Sequence, residues 1–212
     1  MKKKVIIVDY GLGNIFSVQR AIEAVGDFNI IVSNKRVEIA NADRIILPGV
    51  GAFAEGMQGL QKYDLINELT YVAKSGVPIL GICLGMQLLT TSSEEFGNHI
   101  GLNLIPGSVK KIPNYSVEGG GLKVPFISWA PLQMAEEDAA NGLFSGVKSE
   151  CVYLVHSYQV IPDVQDQIKA SYFYGGHKIT AAVKCGNVYG VQFHPEKSGR
   201  VGLKILKNFL QE

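Results

Sequence analysis

Gly81-Ile82-Cys83-Leu84-Gly85 places a cysteine in the centre of a glycine-x-nucleophile-x-glycine frame, between a β-prone run at 78–82 and a helical run opening near Met86. A turn that tight leaves no room for side chains at its flanking positions, so both glycines have a steric purpose and Cys83 is pushed out at the tip. The start of a helix just beyond offers free amides and positive dipole, which lower a thiol pKa and hold a developing oxyanion. The competing reading is a buried cysteine at a strand end.

A cysteine nucleophile needs a base, and the sequence offers His99, His156, His177 and His194. In Val191-Gln192-Phe193-His194-Pro195-Glu196 the histidine ends a β-prone run, and Glu196 lies two residues on. In extended backbone those two side chains share a face, so Glu196 can orient the imidazole as a triad carboxylate does, with Pro195 fixing its own torsion between them. His156, in Val155-His156-Ser157-Tyr158, is the second candidate, against a packing role inside a strand. His99 and His177 stand in turn-like polar surroundings and receive no role.

Pro48-Gly49-Val50-Gly51-Ala52-Phe53 follows a third strand and could supply further oxyanion amides; by itself it reads as an ordinary turn. Gly11-Leu12-Gly13-Asn14-Ile15-Phe16 matches a dinucleotide fingerprint only in its first two glycines, so no nicotinamide site is expected. No cluster has metal-ligand spacing. Neither cofactor nor metal is expected.

These residues must be positioned by an α/β fold. Short β-branched runs at 5–8, 28–32, 44–47 and 78–82 alternate with helical stretches from Asn14 to about Val25 and over 55–74, the pattern of βαβ units and a mainly parallel sheet flanked by helices. Beyond about Ile100, strand-like runs at 102–112, 123–129, 151–158, 168–173, 179–184 and 188–193 read as a largely antiparallel extension. A helix over 199–210 closes the chain with Val201, Ile205 and Phe209 on one stripe. Glu118-Gly119-Gly120-Gly121 is expected to be a mobile loop between strands, too short to separate domains.

With 212 residues, 47% of them hydrophobic, residues 1–212 read as one domain with an ample core. A net charge of +1 with interspersed signs leaves no face for nucleic acid, and no stretch has the roughly 20 apolar residues of a membrane span. Lys2-Lys3-Lys4 followed by 5–8 is too short for a signal peptide. Three widely spaced cysteines suit neither a disulfide framework nor zinc, and a reducing cytoplasm is the expected setting.

Five ordered motifs cover nearly the whole chain: Asp9-Tyr10-Gly11 with Gly13-Asn14; 48–53; Gly81-Ile82-Cys83-Leu84-Gly85-Met86-Gln87; Val155-His156-Ser157-Tyr158; and 190–198, from Gly190 to Ser198. With them the sequence resembles the class I (triad-type) glutamine amidotransferases of flavodoxin-like fold, and among these the glutaminase subunits of imidazole glycerol phosphate synthases in histidine biosynthesis. The resemblance implies that Cys83 attacks the glutamine carboxamide, His194 shuttles protons and Glu196 orients His194. It implies an oxyanion hole from the Leu84 amide and the Pro48-Gly49-Val50-Gly51 segment, and glutamine binding by Gln87, Glu95 and the Ser157-Tyr158 backbone. The implied partner is a (β/α)₈ cyclase subunit in a heterodimer, which receives the ammonia across an interface holding Asn14, Trp129 and Lys197.

One segment departs from that family. Its members read K-V-P-H-x-G-W-N where this chain has Lys123-Val124-Pro125-Phe126-Ile127-Ser128-Trp129-Ala130, so a histidine and an asparagine near the implied interface are replaced. The triad is untouched. A related glutaminase feeding a synthase that amidates a cell-surface sugar is therefore the alternative, with a free-standing cysteine hydrolase and a non-catalytic regulatory module behind it. Trp129 and Lys197 speak against the hydrolase, and the retained Cys83 and His194 against the module.

Overall fold

The computed structural model describes residues 2–148 and 150–212, with only the backbone at 136. The first half runs β1 (Lys4–Val8), α1 (Ile15–Val25), β2 (Asn29–Ser33), α2 (Arg36–Ala40), β3 (Arg44–Gly49), α3 (Phe53–Lys62), α4 (Ile66–Lys74), β4 (Ile79–Cys83) and α5 (Leu84–Leu88). There follow β5 (Thr90–Ser93), β6 (His99–Ile100), β7 (Ile105–Lys111), β8 (Phe126–Pro131), α6 (Glu136–Ala140), β9 (Cys151–His156), β10 (Tyr158–Pro162), β11 (Ile168–Tyr174), β12 (His177–Cys185), β13 (Val188–Val191) and α7 (Gly199–Gln211).

A seven-stranded sheet in the order β11-β12-β13-β4-β3-β1-β2 forms the centre. Its interior strands are apolar on both faces because helices cover both. Val5 and Ile7 of β1 pack with Val18 and Ile22 of α1 and with Val201, Ile205 and Phe209 of α7, whereas Ile6 and Val8 point to the other side, against Leu60, Leu69 and Leu84. The period of two in the strand sorts the side chains between the layers. Asn14 caps α1, its Oδ1 accepting from the Ser17 amide at 3.3 Å.

Two expectations need correction. The helix over 55–74 is two helices, broken where Asp64 takes φ 55° and pairs with Arg36 at 2.7 Å. The strand over 151–158 is also two, β9 pairing with β8 and β10 with β7, because the chain changes sheet at Ser157. The glycine cluster lies between β7 and β8 as expected, in a turn closed by the Tyr115–Gly121 bridge, with the Ser116 amide on the Gly120 carbonyl at 2.7 Å. The C-terminal half is largely antiparallel, as expected, with two parallel pairings, β5 with β7 and β13 with β4. β13 lies parallel to β4 in the register Val191↔Ile82, because only the antiparallel pair β12–β13 turns the chain back to that direction. Gly190 allows this seating, since a Cβ there would meet Met86 Cγ at 2.6 Å. This parallel pairing brings the 192–196 segment beside Cys83.

Candidate active site

Cys83 ends β4 at φ 54°, ψ −110°, a strained conformation for a residue with a side chain. The surroundings enforce it. A Cβ on Gly81 would lie 2.6 Å from the Gly85 carbonyl oxygen, and one on Gly85 would overlap the Leu47 carbonyl. The helix beyond begins at Leu84, earlier than expected, and is only five residues long. Its macrodipole is correspondingly small.

His194 follows β13, 3% exposed, and its Nδ1 lies 2.8 Å from Glu196 Oε1. The two residues do not share a face of an extended strand as expected: Pro195–Lys197 is a 3-10 turn, and it is the turn that folds the carboxylate back onto the ring. Ser198 fixes that turn by donating to the His194 carbonyl at 2.7 Å and accepting from the Tyr153 amide at 3.0 Å. Burial lowers the His194 pKa, but hydrogen bonds to Cys83 and Glu196 outweigh burial and hold it up at about 9.

A cavity of about 270 Å³ joins Cys83, His194, Leu84, Gln87, Glu95, Val50, Gly51, His156, Ser157 and Tyr158. Drug-sized ligands use roughly 300–1,000 Å³, so this space suits a molecule of amino-acid size. Glu95 borders it while its Oε2 accepts from the Phe53 amide at 2.7 Å, which ties the 50–53 turn to the segment after β5. Gln87 Nε2 donates to the Tyr158 carbonyl at 3.3 Å and to Gln192 Oε1 at 3.0 Å, and Gln192 Nε2 reaches Cys83 Sγ at 3.7 Å. Gln192 is the residue that sequence reasoning missed. Its signal was a polar side chain two residues before His194 in a β-prone run.

Gly49 is brought close but does not line the cavity; it is buried in β3 opposite Cys83. Ile45 donates to the Pro78 carbonyl at 2.9 Å, and the alternation of a parallel ladder carries that phase to the Gly49↔Cys83 pair. The Gly49 carbonyl is thereby directed at the Leu84 amide. His156 also reaches the cavity, but both its nitrogens are occupied: Nδ1 with the Tyr158 carbonyl at 2.7 Å and Nε2 with Tyr172 Oη at 2.8 Å. Burial brings its pKa down to about 4.

The three residues expected at an interface lie outside the cavity. Trp129, 51% exposed, packs at a tilt 5.8 Å from Tyr153, whose ring lies 6.4 Å from His194 and 6.0 Å from Lys197 Nζ. Next to Asn14, a Cβ on Gly13 would touch Pro48 at 3.4 Å, so the Asn14 turn abuts the 48–51 segment. Phe126, the departure from the family pattern, is 9% exposed and packs 4.9 Å from Tyr172 and 4.7 Å from Tyr174. Among the described residues no group of three or more His, Cys, Asp or Glu could hold a metal, and no helix is long and apolar enough to cross a membrane.

The family model "Glutamine amidotransferase class-I" matches residues 6–212, nearly the whole of this helix-flanked, mainly parallel fold. The chain belongs to the class I glutamine amidotransferases. Among its relatives, "Imidazole glycerol phosphate synthase subunit HisH 1" of Legionella pneumophila (strain Paris) is 44% identical over 210 residues, 98% of each chain. "Imidazole glycerol phosphate synthase subunit HisH" of Syntrophotalea carbinolica is 45% identical over 207 residues, 97% of this chain and 98% of that one. The fold is shared with the solved "Structure of PurLQS from Thermotoga maritima" at TM-score 0.71 and 19% identity, covering 100% of this chain and 99% of the other.

Proposed function

We propose that this chain is the glutaminase subunit of an imidazole glycerol phosphate synthase, working as one domain in the cytoplasm and passing ammonia to a (β/α)₈ cyclase subunit in a heterodimer. The observation that carries the reading is the 2.8 Å His194–Glu196 pair on the same cavity as a strained elbow cysteine, in a chain whose full-length relatives bear that synthase's name. Cys83 Sγ attacks the glutamine carboxamide carbon as His194 takes the thiol proton, with Glu196 accepting from Nδ1–H and steadying the imidazolium. His194 then gives the proton to the leaving nitrogen, ammonia departs, and a glutamyl thioester remains on Cys83. Water activated by His194 cleaves the thioester to glutamate. Gln87, Glu95 and the Ser157-Tyr158 backbone hold the substrate's amino-acid end.

The oxyanion needs amides, and here the reading includes a switch. While the Gly49 carbonyl faces the Leu84 amide, that donor is taken. Turning the Gly49–Val50 peptide frees it and presents the Val50 N–H, and glycines at 49 and 51, the latter at φ 101°, make the rotation inexpensive. One oxyanion donor is worth about 3 kcal/mol, or a hundredfold or more in rate. Asn14 beside Pro48, and Trp129 and Lys197 around Tyr153, are where partner docking would act. The chain alone should therefore release glutamate slowly, and a loaded cyclase should accelerate it; equal rates with and without the loaded partner would remove the switch and leave the triad standing.

Phe126 and Ala130 favour a second reading, a glutaminase serving a sugar-amidating synthase, because they replace a histidine and an asparagine near the implied interface. Co-purification of the native complex with mass identification of the bound chain separates the two.

A further inference from the structure

Turning the Gly49–Val50 peptide leaves a carbonyl in need of a donor. β3 has β4 on one side and β1 on the other, so a Gly49 carbonyl that leaves the Leu84 amide turns toward the β1 side. The Ile7↔Ile46 register, continued three residues, brings Tyr10 level with Gly49. Tyr10 is 2% exposed, and its Oη is buried with no hydrogen-bond partner among the described residues. A Cβ built on Gly49 would collide with that oxygen and lie 2.9 Å from Leu84 Cβ, so the phenol tip rests directly against the Gly49 backbone. A buried hydroxyl without a partner has given up its hydrogen bonds to water and received nothing in return. Phenylalanine would fill the same apolar space without that loss. Burial foremost, and the neighbouring Cys83, keep the phenol pKa far above its usual range, so the group remains a proton donor throughout.

We propose that the Tyr10 hydroxyl receives the turned peptide, donating to the Gly49 carbonyl once that carbonyl leaves Leu84, and so holds the arrangement in which the Leu84 and Val50 amides both face the oxyanion. Tyr10 touches no reacting atom. It is a positioning residue whose hydrogen bond exists in one arrangement only, which makes its hydroxyl a bias on the switch and not a general support of the fold. The proposal rests on the glutaminase reading above.

The test is Tyr10→Phe in the complex with its cyclase, with glutamate release measured with and without acceptor ligand bound. The ratio of stimulated to basal kcat should fall about tenfold, the worth of one net hydrogen bond, with KM for glutamine shifted less than about twofold and no fall in Tm. An unchanged ratio would overturn the proposal, as would a loss of both rates by one factor together with a lower Tm, the mark of a packing role. A changed rate of iodoacetamide capture of Cys83 in the resting chain, with the ratio unchanged, would mean that the hydroxyl serves the thiol and would equally overturn it. The functional reading is judged separately by the wild-type complex: glutamate release that vanishes in Cys83→Ala upholds it whatever Tyr10→Phe does, while a loaded wild-type complex releasing none would remove both.

Discussion

Two histidines face the same cavity, each nearly hidden from solvent, and their surroundings push them in opposite directions. His194 has a carboxylate on one nitrogen and the Cys83 sulfur near the other, and its pKa stands at about 9. His156 spends one nitrogen on the Tyr158 carbonyl and the other on the Tyr172 hydroxyl, inside an aromatic cluster with Phe126, and its pKa falls to about 4. Burial lowers both, and the neighbouring charge decides. In the proposed reading only His194, held by a carboxylate on one nitrogen, is placed to act as a base; His156, with both nitrogens hydrogen-bonded to neutral partners, is assigned a packing role.

The largest test of that contrast is Cys83, the proposed nucleophile. Cys83→Ala should bring glutamine-dependent synthesis by the complex to background while synthesis from added ammonium salts stays at the wild-type rate; glutamine turnover by this variant would end the assignment. Next, His194→Ala should lower kcat for glutamate release by about four to six orders of magnitude. His156→Gln should instead lower stability by about 1–3 kcal/mol, through the orphaned Tyr172 hydroxyl, and change kcat by less than about tenfold. Comparable kcat losses in the two variants would dissolve the distinction. Glu196→Gln should cost roughly a hundredfold less than His194→Ala, since an orienting group contributes less than the base it orients. Matching losses would mean that the carboxylate does more than orient.

The smallest effect is on stability against pH. A pKa raised from 6.5 to about 9 means that the folded chain favours protonated His194, so this contribution is complete below pH 6.5 and is lost as pH rises through 9. A pKa lowered to about 4 works the other way: the His156 contribution is present above pH 6.5 and disappears as pH falls through 4. Each is on the order of 1–3 kcal/mol. Urea denaturation across pH 4 to 10 should show Glu196→Gln flattening the alkaline limb and His156→Gln the acid limb, and a variant that flattens the opposite limb would reverse the assignment of charge.

Much of the site was legible because its chemistry is local. The elbow around Cys83 is five consecutive residues, and the proximity of His194 to Glu196 is written into a single tripeptide. What joins them is not local. The parallel seating of β13 on β4 depends on which edge β12 leaves open, and nothing between Val188 and Val191 encodes that choice. The same holds for the break at Ser157, where a continuous β-prone run divides because its two halves find different partners. Gln192 stayed hidden because an amide in a β-prone run is unremarkable until Gln87 and Cys83 appear on either side of it. The i, i+2 argument for Glu196 found the right pair through the wrong backbone, a 3-10 turn in place of a strand.

Two glycines at the site carry a consequence for mutational surveys. A Cβ on Gly85 would overlap the Leu47 carbonyl, and one on Gly202 in α7 would overlap the carbonyl of Pro195, the residue between His194 and Glu196. Neither glycine has a side chain with which to touch substrate, yet almost any replacement must displace the elbow or the turn. In a screen scored by growth, Gly85 and Gly202 should look as intolerant as Cys83 itself. Scored by soluble yield they should part company with it, since a missing thiol leaves the chain folded and a misplaced backbone does not.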